Sequence, residues 1–129
     1  MLCGAEAGLE IADFTAAAGA RATRALLERT EPPTAIVYAN DTMAIAGLTV
    51  AHELGFDPPR DLSLVGYEDS ELAAHVYPSL TSVRSDPLTW GRTATRVLLD
   101  AIDGRATDVE LEPARLVVRA STQERRAPR

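Results

Sequence analysis

The sequence predicts an α/β fold, a Rossmann-like parallel sheet with helices flanking it. Two short apolar runs, residues 34–38 and 62–67, are rich in strand formers and lack polar alternation, as buried parallel strands do. Each run leaves into a polar pair, Asn40-Asp41 after the first and Glu68-Asp69 after the second. Segments with apolar residues at helical spacing stand around them, over residues 16–28, 41–54 and 87–103. Successive strand-to-helix units of this kind bring their polar exits to one sheet edge, where open α/β sheets hold small ligands.

Composition narrows the function classes. A chain of 129 residues with 46% hydrophobic and 25% charged residues is ordinary globular material, long enough for one domain or large subdomain with a real core. Its net charge of −6 argues against gripping DNA or RNA directly, which needs a basic face to release counterions. The arginines near the C-terminus, Arg119, Arg125, Arg126 and Arg129, read as a solvated tail. A single cysteine, Cys3, cannot form an internal disulfide and suits a reducing compartment. His52 and His75 lie in separate segments without ligand-like neighbours, so no metal is expected. No secretory signal, membrane span, nucleophile elbow or phosphate-binding loop stands out, and no cofactor or catalytic role is expected.

Taken in order, residues 1–12 are short of pattern apart from Leu9-Glu10-Ile11, which reads as the end of a strand. Thr15 is the expected N-cap of the first helix, with Ala18, Ala22, Ala25 and Leu26 on its apolar face. Phe14 is either a hydrophobic staple onto that helix or an aromatic residue facing a pocket beside Asn40. Asp41 or Thr42 caps the helix running to about Leu54, which Gly55 stops; on this reading Asn40 and Asp41 are either ligand contacts or merely turn and cap. Met43, Ala46, Gly47, Val50 and Leu54 share one arc, expected to pack on the sheet. Ile45, Leu48 and His52 share the opposite arc, which calls for a second covering surface, either a partner subunit or a second helix of the same chain. Residues 70–76 form a short helix or turn, and residues 80–83 a short strand. Asp86-Pro87 then opens a helix with a wide apolar face that includes Trp90, Val97, Leu98 and Ile102. Residues 116–119 form a final strand and residues 123–129 a charged tail.

Several of these motifs fall in a telling order: Pro33-Thr34-Ala35-Ile36, Ala39-Asn40-Asp41-Thr42-Met43-Ala44, Asp61-Leu62-Ser63-Leu64-Val65-Gly66-Tyr67, Pro78-Ser79-Leu80-Thr81-Ser82-Val83 and Leu116-Val117-Val118-Arg119-Ala120-Ser121-Thr122. The chain from Asp13 to about Thr122 thereby resembles the second half of the effector domain of the lactose/galactose-repressor family of bacterial transcription regulators. The resemblance implies the C-terminal lobe of a type I periplasmic-binding-protein-like fold, in which two α/β lobes clamp a small effector. It also implies a fragment, because the family's helix-turn-helix head and most of its first lobe have no counterpart here. Residues 1–12 are then an N-terminal remnant, and the helix over 87–103 normally crosses to the missing lobe.

By the same resemblance, Phe14 packs against the effector, and Asn40 and Glu68 read hydroxyl groups. Ser85, near the lobe crossing, is a further contact. Glu68 stands where the family commonly has an aspartate. A sugar or sugar derivative suits this set, since an aromatic face covers ring C–H groups while amide and carboxylate read hydroxyls. The family's homodimer nominates Ile45, Leu48, His52, Ala74 and Val76 as interface. Operator DNA would be reached only through the absent head, in the cytoplasm and without a membrane. Two rivals belong to other classes: a solute-binding protein of a sugar transporter, and an α/β enzyme using Asp41, Glu68 or Asp69 as acid or base.

Overall fold

The computed structural model describes residues 8–105 and 108–124. Cys3, Arg125, Arg126 and Arg129, together with most of residues 1–12, lie outside the described residues. The chain builds α1 (Ala16–Leu27), β1 (Ala35–Val37), α2 (Asp41–Glu53), β2 (Ser63–Tyr67), a 3-10 turn (Glu71–Ala74), β3 (Thr81–Arg84), α3 (Pro87–Ile102) and β4 (Arg115–Val117). The four strands form one sheet in the order β1-β2-β3-β4. The first three are parallel, with Val37 opposite Val65 and Tyr67 opposite Val83. β4 departs from the expected parallel pattern and runs antiparallel to β3, pairing Ser82 with Val117. The mixed sheet with flanking helices otherwise follows the expected α/β class.

Helix boundaries are set by short polar side chains. Thr15 caps α1 by accepting the Ala18 N–H at 3.2 Å, and its own hydroxyl donates to Asp13 at 2.6 Å. Asp86 caps α3 through the Thr89 N–H at 2.9 Å, with Pro87 in the first turn, where a missing N–H costs nothing. Gly55 ends α2 in the left-handed region at φ 83°, a conformation glycine adopts without steric penalty.

The core differs from the sequence reading in one respect. α1 packs directly on α2, and α2 packs in turn on β2. The arc assigned to the sheet, Met43 and Gly47 with Ala46 and Val50, faces α1 instead. Gly19 sits where a Cβ would come within 2.6 Å of the Met43 Cα, and Gly47 where one would come within 2.1 Å of the Tyr38 hydroxyl. These two glycines let the backbones approach closely. Leu48, expected to lie under a partner subunit or a second helix, is only 4% accessible and joins Leu62, Leu64, Ala73 and Leu80 in the core. The second apolar arc is therefore covered from within the chain at Leu48, while Ile45 stays half-buried and His52 exposed. α1 buries Ala18, Gly19, Thr23 and Leu27; of the expected face, Ala22 and Leu26 are half-buried and Ala25 is exposed. Thr23 donates to the Gly19 carbonyl at 2.7 Å and hydrogen-bonds the Tyr38 hydroxyl at 2.8 Å. Burial pushes the Tyr38 phenol up to about 12, although the Thr23 bond works against it.

No residue of α3 is buried, and Leu88, Leu98, Leu99 and Ile102 are each more than half exposed. Of the wide apolar face read from the sequence, Trp90 and Val97 are half-buried and Leu98 and Ile102 stand exposed.

Glycine-to-alanine changes separate the two kinds of helical glycine. Gly47→Ala must displace Tyr38 and Thr23, and it is expected to lower the free energy of urea unfolding by about 1–3 kcal/mol despite alanine's better helix propensity. Gly91→Ala in α3 meets open space and is expected to raise it by up to ~1 kcal/mol. Equal signs for the two would contradict the packing of α1 on α2.

Candidate functional site

Three parallel neighbouring strands share one carboxyl edge, and the candidate residues stand on it. Asn40 follows β1, Glu68 follows β2 and Ser85 follows β3. Phe14 joins them through Asn40, whose Nδ2 donates to the Phe14 carbonyl at 2.9 Å. The Phe14 ring is 63% exposed, which sets aside the staple reading, and its backbone sits in the left-handed region at φ 66°. All four predicted contacts thus reach the same edge.

Asn40, rather than Asp41 or Thr42, is the N-cap of α2, accepting the Met43 N–H at 2.8 Å through Oδ1. Its side chain holds the loop before α1 with one group and the start of α2 with the other. One Nδ2 hydrogen and part of the Oδ1 acceptor capacity remain for another partner.

Asp41 goes inward. At 1% exposure its carboxylate accepts from the Ser70 N–H and from the Ser82 hydroxyl, both at 2.6 Å. Gly66 makes room for it, since a Cβ there would come within 2.1 Å of Asp41 Oδ1. Asp69 is also committed. Its side chain is 3% exposed, ion-paired at Oδ1 with Arg119 at 2.6 Å and hydrogen-bonded at Oδ2 by Arg84 at 2.5 Å, while its own N–H donates to the Ser82 hydroxyl at 3.0 Å. Burial pushes the Asp69 carboxyl up, but Arg119 and Arg84 outweigh it and hold it below the usual range. Glu68, by contrast, is exposed, with its N–H donating to the Val83 carbonyl at 2.9 Å. Of the three carboxylates considered at this edge, Glu68 alone faces solvent.

Arg119 overturns its assignment to a solvated tail. It is 16% exposed, donates to the Leu80 carbonyl at 2.8 Å, and belongs to the segment leaving β4. Its signal lay in the position just after the last apolar run, which ties it to the sheet. Ser82 and Arg84 were missed because nothing in a short strand marks which hydroxyl or guanidinium turns toward a neighbouring loop. Gly66, inside an otherwise apolar strand, was the readable sign of a close approach.

Of the residues nominated for a subunit contact, Leu48 is withdrawn by its burial in the core. His52 and Ala74 are exposed; Ile45 and Val76 are half-buried against the core. Leu72, on the 3-10 turn, is 64% exposed. Among the described residues no helix is long and apolar enough to cross a membrane, and no group of acidic, histidine and cysteine side chains is arranged to hold a metal ion.

The fold and its edge site define a lobe of a ligand-binding α/β domain. Residues 3–122 match the periplasmic binding protein-like domain, and the chain belongs to that family. It is similar to the HTH-type transcriptional regulator CelR of Thermobifida fusca, 41% identical over 106 residues, 82% of this chain and 30% of that protein. Among solved structures it is similar to a transcriptional regulator CelR–cellobiose complex, with a TM-score of 0.73 at 38% identity over 85% of this chain and 34% of the other. It is likewise similar to a lac repressor dimer bound to operator and the anti-inducer ONPF, with a TM-score of 0.78 at 33% identity, over 88% and 40%. The chain spans about a third of the length of the curated regulators it matches.

Acid should expose the Asp69 network. A carboxyl held low in the folded chain stabilises it above its unfolded value, near 3.8, and this contribution is lost as pH falls through the lower folded value. Asp13 and Asp86, held low mainly by hydrogen bonds from Thr15 and Thr89, share the sign. The thermal midpoint is expected to hold down to about pH 5 and decline as pH falls through and below ~3.8. Asp69→Asn should make that decline shallower in a calorimetric pH series; an unchanged slope would show that the carboxylate contributes nothing there.

Proposed function

We propose that the chain is the effector-sensing and dimerising part of a LacI-type transcriptional regulator, taking a sugar or similar polyhydroxylated molecule at the carboxyl edge of its sheet. One observation carries this reading. An exposed aromatic residue, a half-used amide and an exposed carboxylate stand on the edge where three parallel strands end, with Asn40 bonded to the Phe14 backbone. Phe14 would lie along the C–H face of a ring, while Asn40 Nδ2 and the Glu68 carboxylate take its hydroxyls. Ser85 adds a hydroxyl from the third strand exit. No step of chemistry is required of these groups. Asp41 and Asp69, the alternative acids, are held by hydrogen bonds and ion pairs instead of standing free at the edge.

In the whole regulator a second lobe would close over this edge, and effector binding would shift the balance between DNA-competent and released forms. Operator contact would come from a separate head, and the compartment would be the cytoplasm. The subunit contact would use His52, Ala74 and the exposed side of Ile45 and Val76, extended by Leu72.

Two measurements test this reading. Titration calorimetry with cellobiose and a panel of common mono- and disaccharides is expected to find binding that Glu68→Ala weakens by about tenfold or more, the scale of a hydrogen bond to a charged group. No heat from any sugar at millimolar concentration would overturn the sugar reading. Sedimentation equilibrium is expected to show a dimer that Leu72→Asp dissociates. A dimer indifferent to that change, or a monomeric wild type, would remove the dimer face.

A further inference from the structure

The residues just beyond β2 are held in an unusual way. Glu68 and Asp69 both occupy the left-handed region, at φ 102° and 52°, where a non-glycine residue carries a steric penalty that its surroundings must offset. The Glu68 N–H is anchored on Val83 and the Asp69 N–H on Ser82, whose hydroxyl is in turn bound to Asp41. The strongest grip is on the Asp69 side chain, where one arginine of β3 and one from the segment beyond β4 converge. Arg84, the last residue of β3, reaches Oδ2, and Arg119, anchored on the Leu80 carbonyl, reaches Oδ1. The Arg84 contact is a charge-assisted hydrogen bond, about twice as strong as a neutral one, while Arg119 adds an ion pair at Oδ1, which accepts no hydrogen bond.

We infer that Asp69, clamped by Arg84 and Arg119, is a positioning residue that holds the Glu68–Asp69 turn left-handed and so fixes where the Glu68 carboxylate stands at the edge. Without the clamp the turn relaxes toward right-handed or extended backbone, and the Glu68 side chain swings away from the line of Asn40 and Ser85. Effector selectivity would then depend on a residue that touches no effector. The inference rests on the edge-site reading for its consequence, but the state of the turn is measurable without any ligand.

Amide hydrogen exchange on the full chain, read by NMR, supplies that measurement. Asp69→Asn is expected to speed exchange at the Glu68 and Asp69 amides by about tenfold or more, with Tyr38 and Leu64, bonded to Val65 and Ser121, changing far less. Acceleration equal at all four amides, or none at 68 and 69, would overturn the inference. Asp69→Gly separates clamp from conformation, because glycine accepts a positive φ freely. It is expected to loosen the turn as well, and slow exchange retained in that variant would also refute the clamp. Arg84→Gln, at a largely exposed position, removes one arm and should give the same local pattern at smaller amplitude, which covers the case in which Asp69→Asn does not fold.

In the ligand arm, Asp69→Asn should weaken cellobiose binding about as much as Glu68→Ala, with little further loss in the double variant. Additive losses would show that Asp69 acts independently of Glu68. If the wild type binds no cellobiose, the sugar reading loses that support while the exchange data still decide the clamp.

Discussion

The carboxyl edge depends on one buried carboxylate whose hydrogen-bond donors are both uncharged. Asp41 opens α2, yet its side chain crosses beneath the sheet edge to the Ser70 N–H and the Ser82 hydroxyl. Taking a carboxylate out of water is costly unless its lone pairs are met. Here short bonds and a place in the first turn of α2, at the positive end of the helix dipole, offset that cost. The bonds tie the exit of β1 to the exit of β2 and to β3. Gly66 is small for the same reason, since any larger residue would occupy the space of the Asp41 oxygen. Removing one donor would strand the charge, so the three strand ends stand or shift together.

Above this layer the acidic residues divide by function. Asp41 is satisfied by neutral donors and Asp69 is paired with two arginines, and both side chains are withdrawn from solvent. Glu68 lies beside Asp69 in sequence and faces outward. The exposed acid can therefore change without disturbing the buried pair.

The fold class and the edge were legible because apolar runs ending in Asn-Asp and Glu-Asp leave few alternatives to a strand feeding a helix at a shared edge. The direction of β4 was not legible, since an isolated apolar triplet carries no sign of its partner's orientation. Periodicity failed on α2 for a definite reason. The helix lies between the sheet and α1, so both arcs are apolar, and their spacing cannot say which meets which neighbour. The glycines could have said so, because Gly19 in α1 and Gly47 in α2 are the small residues that close helix packing needs. On α1 the buried stripe runs through Gly19 and Thr23, residues that hydrophobic counting passes over. Arg119 was hidden by its nearness to a run of exposed-looking arginines.

On the proposed reading, the sensor edge and the subunit face are two ends of one rigid element. Asn40, whose spare amide hydrogen would bind effector, is the residue that caps α2, and His52 closes the same helix on its exposed side. A ligand pulling on Asn40 competes with the Met43 N–H and the Phe14 carbonyl for one side chain, so its binding energy is felt at the helix cap and at the start of α1 together. The Asp41 bonds then limit what can follow. Because Ser70 and Ser82 hold the first turn of α2 to β2 and β3, the turn cannot unwind on its own, and a displacement at the edge must move the helix as a body against its neighbours. Such rigid-body shifts of packed helices are how small changes at an effector become discrete changes at an interface. The buried Asp41 thus makes a local contact at Asn40 consequential at Ile45 and His52, and the close seat of Gly47 on Tyr38 and of Gly19 on Met43 leaves α2 little freedom to absorb the motion by bending.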